Sequence, residues 1–282
     1  MAFRKHHAVR VLRLTRLAIH LVRGILTVGA VFPYSGKTRR HKMIRHWSAK
    51  LLGILNVSLS VSGDPPAGGS LLVANHVSWL DIYLINSVCP PRFVAKSEIR
   101  KWPAVGWLSE KTGVLFVERE RRSDASRVGR AISEAIASGD LIAVFPEGTT
   151  SDGLRILSFR APLLEPALTC KSNLHPVALR YVMSSGEIDT RVAYAGETSF
   201  GQSLWTILGQ EKIRAEIIFA EAIEVAGHNR KTLAKQAESV IAAALNLPTP
   251  GTTPETPDGL QGAPRKARPP KDSPYPAPSD SH

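Results

Sequence analysis

The sequence predicts a mixed α/β domain preceded by a basic helical segment and followed by an unstructured tail. Three observations carry that expectation. Short apolar runs of strand type at 70–74, 113–117 and 141–145 alternate with helix-like stretches through the middle of the chain. Residues 1–63 hold 12 of the 36 Lys and Arg and no Asp or Glu, so the whole net charge of +12 sits there and the remainder is balanced. Residues 248–282 carry 10 of the 20 prolines and almost no large apolar side chain. The expected division is therefore a helical segment at 1–60, a single-core domain at 61–247 and a disordered tail at 248–282.

In the first segment Arg13, Arg16, His20 and Arg23 fall within an arc of about 80° on a helical wheel, opposite Leu14, Leu17, Ala18, Leu21, Val22 and Ile25. A second stretch at 41–55 sets His41, Lys42, Arg45, His46 and Lys50 beside Met43, Ile44, Trp47, Leu51, Leu52 and Ile54. This pattern predicts attachment to an anionic membrane surface, on its cytoplasmic face, without crossing it. Two alternatives are a tilted transmembrane segment at 11–32, interrupted by His20 and Arg23, and a cleaved signal peptide, for which no clear small-x-small cleavage site is present. Nucleic acid is disfavoured as a partner, because no reader motif accompanies the charge and the apolar face is too continuous. Two cysteines, Cys89 and Cys170, give no disulfide framework and fit a reducing compartment. There is no Cys/His cluster of zinc spacing and no glycine-rich nucleotide loop, so neither a metal nor a bound cofactor is expected.

The strand-type run 70–74 leads into Asn75-His76-Val77-Ser78-Trp79-Leu80-Asp81. Residues five apart on one helix are rotated by about 140° and do not meet. His76 is therefore expected in a strand-to-helix turn, with Ser78 as N-cap and Asp81 at the third helical position, its carboxylate folding back to the imidazole. Histidine accepts protons near neutrality, and a carboxylate fixes its tautomer. Taken alone, the same residues also read as a capping box beside a loop histidine.

Further on, 113–119 is a strand ending at Arg119, whose guanidinium fork suits phosphate oxygens. The run 141–145 passes directly into Pro146-Glu147-Gly148-Thr149, where Pro ends the ladder and Gly permits close backbone approach, although this is also an ordinary turn sequence. Strand-like runs at 191–195 and 214–220 and a helix at 228–247 complete the domain, while Pro162 and Pro166 weaken a helical reading of 159–170.

Three strand ends bearing His/Asp, Arg and Glu-Gly-Thr, in that order, resemble the glycerolipid acyltransferase family, and specifically its bacterial 1-acylglycerol-3-phosphate acyltransferases. The motif Asn-His-x-x-x-x-Asp is met by Asn75, His76 and Asp81, and Phe-x-x-Arg by Phe116 and Arg119. Phe-Pro-Glu-Gly-Thr-x-Ser is met by Phe145, Pro146, Glu147, Gly148, Thr149 and Ser151, and a weaker Pro-containing strand by His175-Pro176-Val177-Ala178-Leu179. The resemblance spans roughly 70–180. It implies an α/β fold with a central mixed sheet flanked by helices, and transfer of a fatty acyl group to a lysophospholipid hydroxyl.

On that resemblance His76 is the general base and Asp81 its orienter. Arg119 and Lys96 would hold the acceptor phosphate, with Asn75, Phe116, Glu147, Gly148 and Thr149 completing the substrate site. The acceptor is expected to be 1-acylglycerol 3-phosphate and the donor an acyl thioester of acyl carrier protein or coenzyme A. Backbone amides after Asn75 are the expected oxyanion donors. A lyso-ornithine lipid or another lysophospholipid is the nearest alternative acceptor. A hydrolase is disfavoured by the lack of a serine elbow or metal ligands, and a non-catalytic membrane protein would have no use for His76, Asp81 and Glu147 together.

Overall fold

The computed structural model describes residues 2–117 and 122–250. Two helices come first, α1 (Ala2–Ala30) and α2 (Lys37–Ile54). They lead into a seven-stranded mixed sheet: β1 (Val57–Ser62), β2 (Ser70–Ala74), β3 (Arg92–Lys96), β4 (Leu115–Val117), β5 (Leu141–Val144), β6 (Leu174–Val182) and β7 (Ile213–Phe219). The spatial order is β1-β7-β6-β2-β5-β3-β4, and every neighbouring pair is parallel except β6 with β7. The boundary expected at 60/61 thus falls inside β1, which pairs with β7 from Val57 onward. The expected tail lies outside the described residues from 251 on.

Helices α3 (Leu80–Val88), α4 (Val105–Lys111), α5 (Arg122–Ala137), α6 (Glu165–Cys170), α7 (Phe200–Gly209) and α8 (Arg230–Leu245) are the remaining α-helices among the described residues. β2 and β5 are buried along their whole length, as expected of central parallel strands covered on both faces. Their side chains alternate between two cores. Leu71, Val73, Ile142 and Val144 pack with Ile132 of α5, Ala167 of α6 and Leu233 and Ile241 of α8. Leu72, Ala74, Leu141 and Ala143 pack with Leu51 of α2, Leu84 of α3 and Ile207 of α7. The helices end where local chemistry stops them. Ser199 and Asn229 close capping boxes with Gln202 and Thr232, and Asn246 takes the left-handed conformation behind α8.

Two expectations are corrected. The run 191–195 is not a strand: Asp189 accepts from the Arg191 amide and pairs with its guanidinium, holding a short 3₁₀ turn at Thr190–Val192. The polar arc assigned to α1 does not face outward as a whole. Arg13 donates to the carbonyls of Leu208 (3.0 Å) and Gln210 (2.5 Å), satisfying the C-terminal end of α7. His20 is buried against α2, its ring stacked on Trp47 at 4.5 Å, with Trp47 Nε1 donating to the His20 carbonyl at 3.1 Å. Gly24 makes room for that contact, since a Cβ there would stand 2.7 Å from Trp47 Nε1. The wheel placed both on one polar face, whereas each finds its partner in the protein. The exposed face of α1 instead carries Val11, Leu12, Ile19, Val22 and Leu26, with Arg16 and Arg23 along one side. Among the described residues no helix is long and apolar enough to cross a membrane.

Candidate active site

The C-terminal ends of β2 and β5 lie side by side at the middle of the sheet. Here the chain divides, running from β2 outward to β3 beyond β5, and from β5 across β2 to β6. Such a switch point is where open α/β sheets leave a crevice for ligands.

His76 is two residues past β2. Its Nδ1 lies 2.8 Å from Asp81 Oδ2, and the same oxygen accepts from the amides of Val77 (2.8 Å) and Ser78 (2.9 Å). Asp81 Oδ1 accepts the hydroxyl of Tyr181 at 2.6 Å. Four donors thus converge on a carboxylate with no solvent exposure, which holds it in place. Because a carboxylate only accepts, Nδ1 carries the proton and Nε2 presents its lone pair. Helix α3 begins at Leu80 rather than after a Ser78 cap, and Asp81 is its second residue. The amides of Val77 and Ser78 are drawn to the Asp81 carboxylate and remain in the turn.

The His76 ring stacks on Phe145, centroids 3.9 Å apart and planes at 12°, and Phe145 stacks in turn on Phe93 at 5.9 Å. The backbone is held as firmly. The His76 amide donates to Glu147 Oε1 at 3.0 Å, and its carbonyl accepts from the Ser151 amide at 2.8 Å. The turn after β5 therefore positions the base itself. Burial pushes the Glu147 carboxyl up to about 8; the nearby Asp81 and Asp152 add to that, and the amides of His76 and Leu157 oppose it. Its Oε2 is buried without a hydrogen-bond partner among the described residues. At neutral pH this carboxyl is mostly protonated and has a proton to donate. Gly148 has φ of +76°, and the Arg160 side chain crosses it where a Cβ would stand.

The remaining expected residues separate. The side-chain amide of Asn75 donates to the Leu179 carbonyl at 2.9 Å and accepts from the Leu179 amide at 2.8 Å. It ties β2 to β6 and fixes the turn, and the residue is buried. The expected oxyanion donors after Asn75 are occupied too, His76 by Glu147 and Val77 and Ser78 by Asp81. Thr149 is exposed at the turn, and Lys96 is exposed at the end of β3, two strands from β2. Phe116 on β4 is half-buried beneath the Arg100 guanidinium, 5.9 Å from its ring centroid. Arg119 lies outside the described residues. Among the described residues no group of His, Cys, Asp and Glu is placed to hold a metal ion. The sequence reading missed Tyr181 and Arg160 and took Phe145 only as a motif position. Tyr181 sits two residues beyond Leu179 on the same face of β6, but no local pattern reveals that β6 neighbours β2.

The acyltransferase family model matches residues 58–180. A lyso-ornithine lipid O-acyltransferase of Pseudomonas aeruginosa is 35% identical over 206 residues, covering 73% of this chain and 79% of that protein. A 1-acyl-sn-glycerol-3-phosphate acyltransferase of Neisseria meningitidis is 32% identical over 239 residues, covering 84% and 93%. The crystal structure of PlsC, the 1-acyl-sn-glycerophosphate acyltransferase of Thermotoga maritima, superposes with a TM-score of 0.62 at 22% identity, covering 84% of this chain and 96% of that one. That likeness extends to the fold.

Proposed function

The chain belongs to the acyltransferase family, and on that premise we propose that it moves a fatty acyl group from a thioester of acyl carrier protein or coenzyme A to the 2-hydroxyl of 1-acylglycerol 3-phosphate, giving phosphatidate. The single observation that carries the chemistry is His76 held by Asp81 with Nε2 left to accept a proton. The acceptor supplies the nucleophile, so the site needs a base and an orienter and no serine or cysteine of its own.

As Nε2 takes the hydroxyl proton, the hydroxyl oxygen bonds to the thioester carbonyl carbon. Asp81 stabilises the imidazolium through Nδ1–H. The tetrahedral intermediate then collapses, the C–S bond breaks, and the thiolate leaves, taking the proton from His76 or from water. Phe145 keeps the ring from tilting, and Glu147 keeps its backbone from moving. The free Oε2 of a protonated Glu147 is suited to hydrogen-bond a polar oxygen of the acceptor. Arg119, Lys96 and Thr149 are proposed head-group contacts. The exposed apolar face of α1, flanked by Arg16 and Arg23, supports work at an anionic membrane surface, where the lipid acceptor resides.

The second reading changes only the acceptor. Relatives named for lyso-ornithine lipid acylation span most of this chain, as do those named for 1-acylglycerol 3-phosphate. Purified protein with labelled acyl donor, offered lysophosphatidate, lyso-ornithine lipid, neutral lysolipid and water, tests the reaction. Label should pass to a lysolipid, and His76→Ala should reduce turnover by roughly 10²–10⁴-fold with the fold intact. Label released only to water, or a folded His76→Ala protein with near-wild-type turnover, would remove this reading.

A further inference from the structure

Arg160 belongs to none of the motifs that carry the resemblance, yet its side chain lies against the site. Its backbone is anchored on both sides: the Phe159 amide donates to Glu238 Oε1 at 2.5 Å, and the Arg160 amide donates to the Pro146 carbonyl at 2.9 Å. From there the side chain crosses Gly148, with Nε, Cζ and Cδ at 2.6, 2.8 and 3.2 Å from the point a Cβ would occupy. The positive φ of Gly148 and the missing side chain create that passage. Gly148 directly follows Glu147, whose Oε1 holds the amide of the base.

The residue is exposed, and no carboxylate pairs with it among the described residues. Glu147, the residue before Gly148, is buried and largely neutral, so it does not cancel the charge. Among the described residues Arg160 therefore presents an unpaired guanidinium, a planar fork of five donors, beside the turn whose Glu147 holds the amide of the base. Structural arginines ordinarily show the ion pair or carbonyl contacts that hold them, as Arg191 does with Asp189 and Arg13 with Leu208 and Gln210.

We propose that Arg160 binds the anionic head group of the lipid acceptor and thereby selects acceptors that carry an anion near the reacting hydroxyl. This deepens the acyl-transfer reading and rests on it. The fork fits a phosphate monoester or a carboxylate, so the same contact serves lysophosphatidate or an amino-acid lysolipid.

Kinetics of the full-length protein test it, with Arg160→Ala, Arg160→Lys and, as a control, Arg155→Ala, an exposed arginine on the same loop. Acceptors are lysophosphatidate, lyso-ornithine lipid and the uncharged monoacylglycerol. Arg160→Ala should raise KM for the preferred anionic acceptor by about 10–100-fold, the scale of a lost charge-assisted hydrogen bond. The donor KM and monoacylglycerol turnover should change less than about twofold on that scale, and Arg160→Lys should recover part of the loss. Whichever anionic lipid shows the effect identifies the anion. Equal losses on charged and uncharged acceptors, or no loss on any, would overturn the assignment. Binding of inorganic phosphate to wild type and Arg160→Ala, followed by calorimetry, keeps the two hypotheses apart. If wild type acylates no lysolipid, the proposed reaction fails on its own. Arg160 is then judged by phosphate affinity, which should fall at least about tenfold in the variant, and an unchanged affinity overturns it.

Discussion

Tyr181 and Asp81 are 100 residues apart in sequence, and their side chains meet at 2.6 Å inside the protein, hydroxyl to carboxylate, with almost no solvent exposure of either. Burial and the Asp81 charge together hold the Tyr181 hydroxyl well above its ordinary range, so it stays a donor. Tyr181 is thus a positioning residue that acts on His76 through Asp81. Tyr181→Phe removes one donor from a carboxylate that has four, at a scale of about 1.5–3 kcal/mol for a hydrogen bond to a charged group. The three remaining bonds hold Asp81 less firmly, so the imidazole is oriented less well and kcat should fall by roughly tenfold, with the KM of both substrates near wild type. A variant that loses thermal stability while keeping the wild-type kcat would leave Tyr181 with a packing role only.

Glu147 predicts a pH dependence of stability whose sign follows from its burial. Its folded-state pKa, near 8, is above the unfolded value of 4.5, so the folded protein binds the extra proton between those limits. Stability from this group is fully present below about pH 4.5 and is lost as pH rises toward 8, with a slope approaching about 1.4 kcal/mol per pH unit. Glu147→Gln keeps an oxygen for the His76 amide and cannot ionise. Denaturant midpoints measured from pH 5 to pH 8 should therefore decline less steeply in the variant than in wild type. Parallel curves would mean that Glu147 ionises freely in the folded state.

Much of this site was legible because its parts lie close together in sequence. The five-residue step from His76 to Asp81 excludes a continuous helix and leaves the strand-to-helix turn, and the structure has that turn. Burial of β2 and β5 followed from their uninterrupted apolar runs. The structural roles of Asn75 and Glu147 were not legible. Both residues read only as polar groups awaiting substrate, and the structure adds that Asn75 bonds to Leu179 and that Glu147 spends Oε1 on the His76 backbone. Those partners are 104 and 71 residues away, and the strand order that brings them together leaves no periodic trace in the sequence. The α1 error has the same origin. Arg13 and His20 answer to α7 and α2, and a helical wheel sees neither.

Gly148 links the turn to Arg160. An alanine there must adopt φ of +76°, which costs on the order of 1–2 kcal/mol, and its methyl would displace the guanidinium. Gly148→Ala should lower the unfolding midpoint modestly and raise the acceptor KM as Arg160→Ala does. The double variant should then be little worse than Arg160→Ala in acceptor KM, because both changes remove one contact. Additive losses would show that Gly148 serves the substrate separately from Arg160.

The outer face of α1 predicts how the protein meets a membrane. Ile19 and Val22 are more than half exposed (56% and 54%), so replacing both with Glu should leave the unfolding midpoint unchanged. If this face enters the lipid interface, each side chain contributes about 1.5–3 kcal/mol there, and the double variant should bind anionic liposomes more than about 10²-fold more weakly. Arg16 and Arg23 add an electrostatic contribution of about 1 kcal/mol each, which salt screens. Wild-type binding should therefore rise with anionic lipid content and fall at high ionic strength without vanishing, because the apolar contribution remains. Binding that is insensitive to the Glu substitutions and abolished by salt would place the contact on the basic residues of α2 instead. Retention in the membrane pellet through salt and carbonate washing, with release only by detergent, would be incompatible with attachment at the interface.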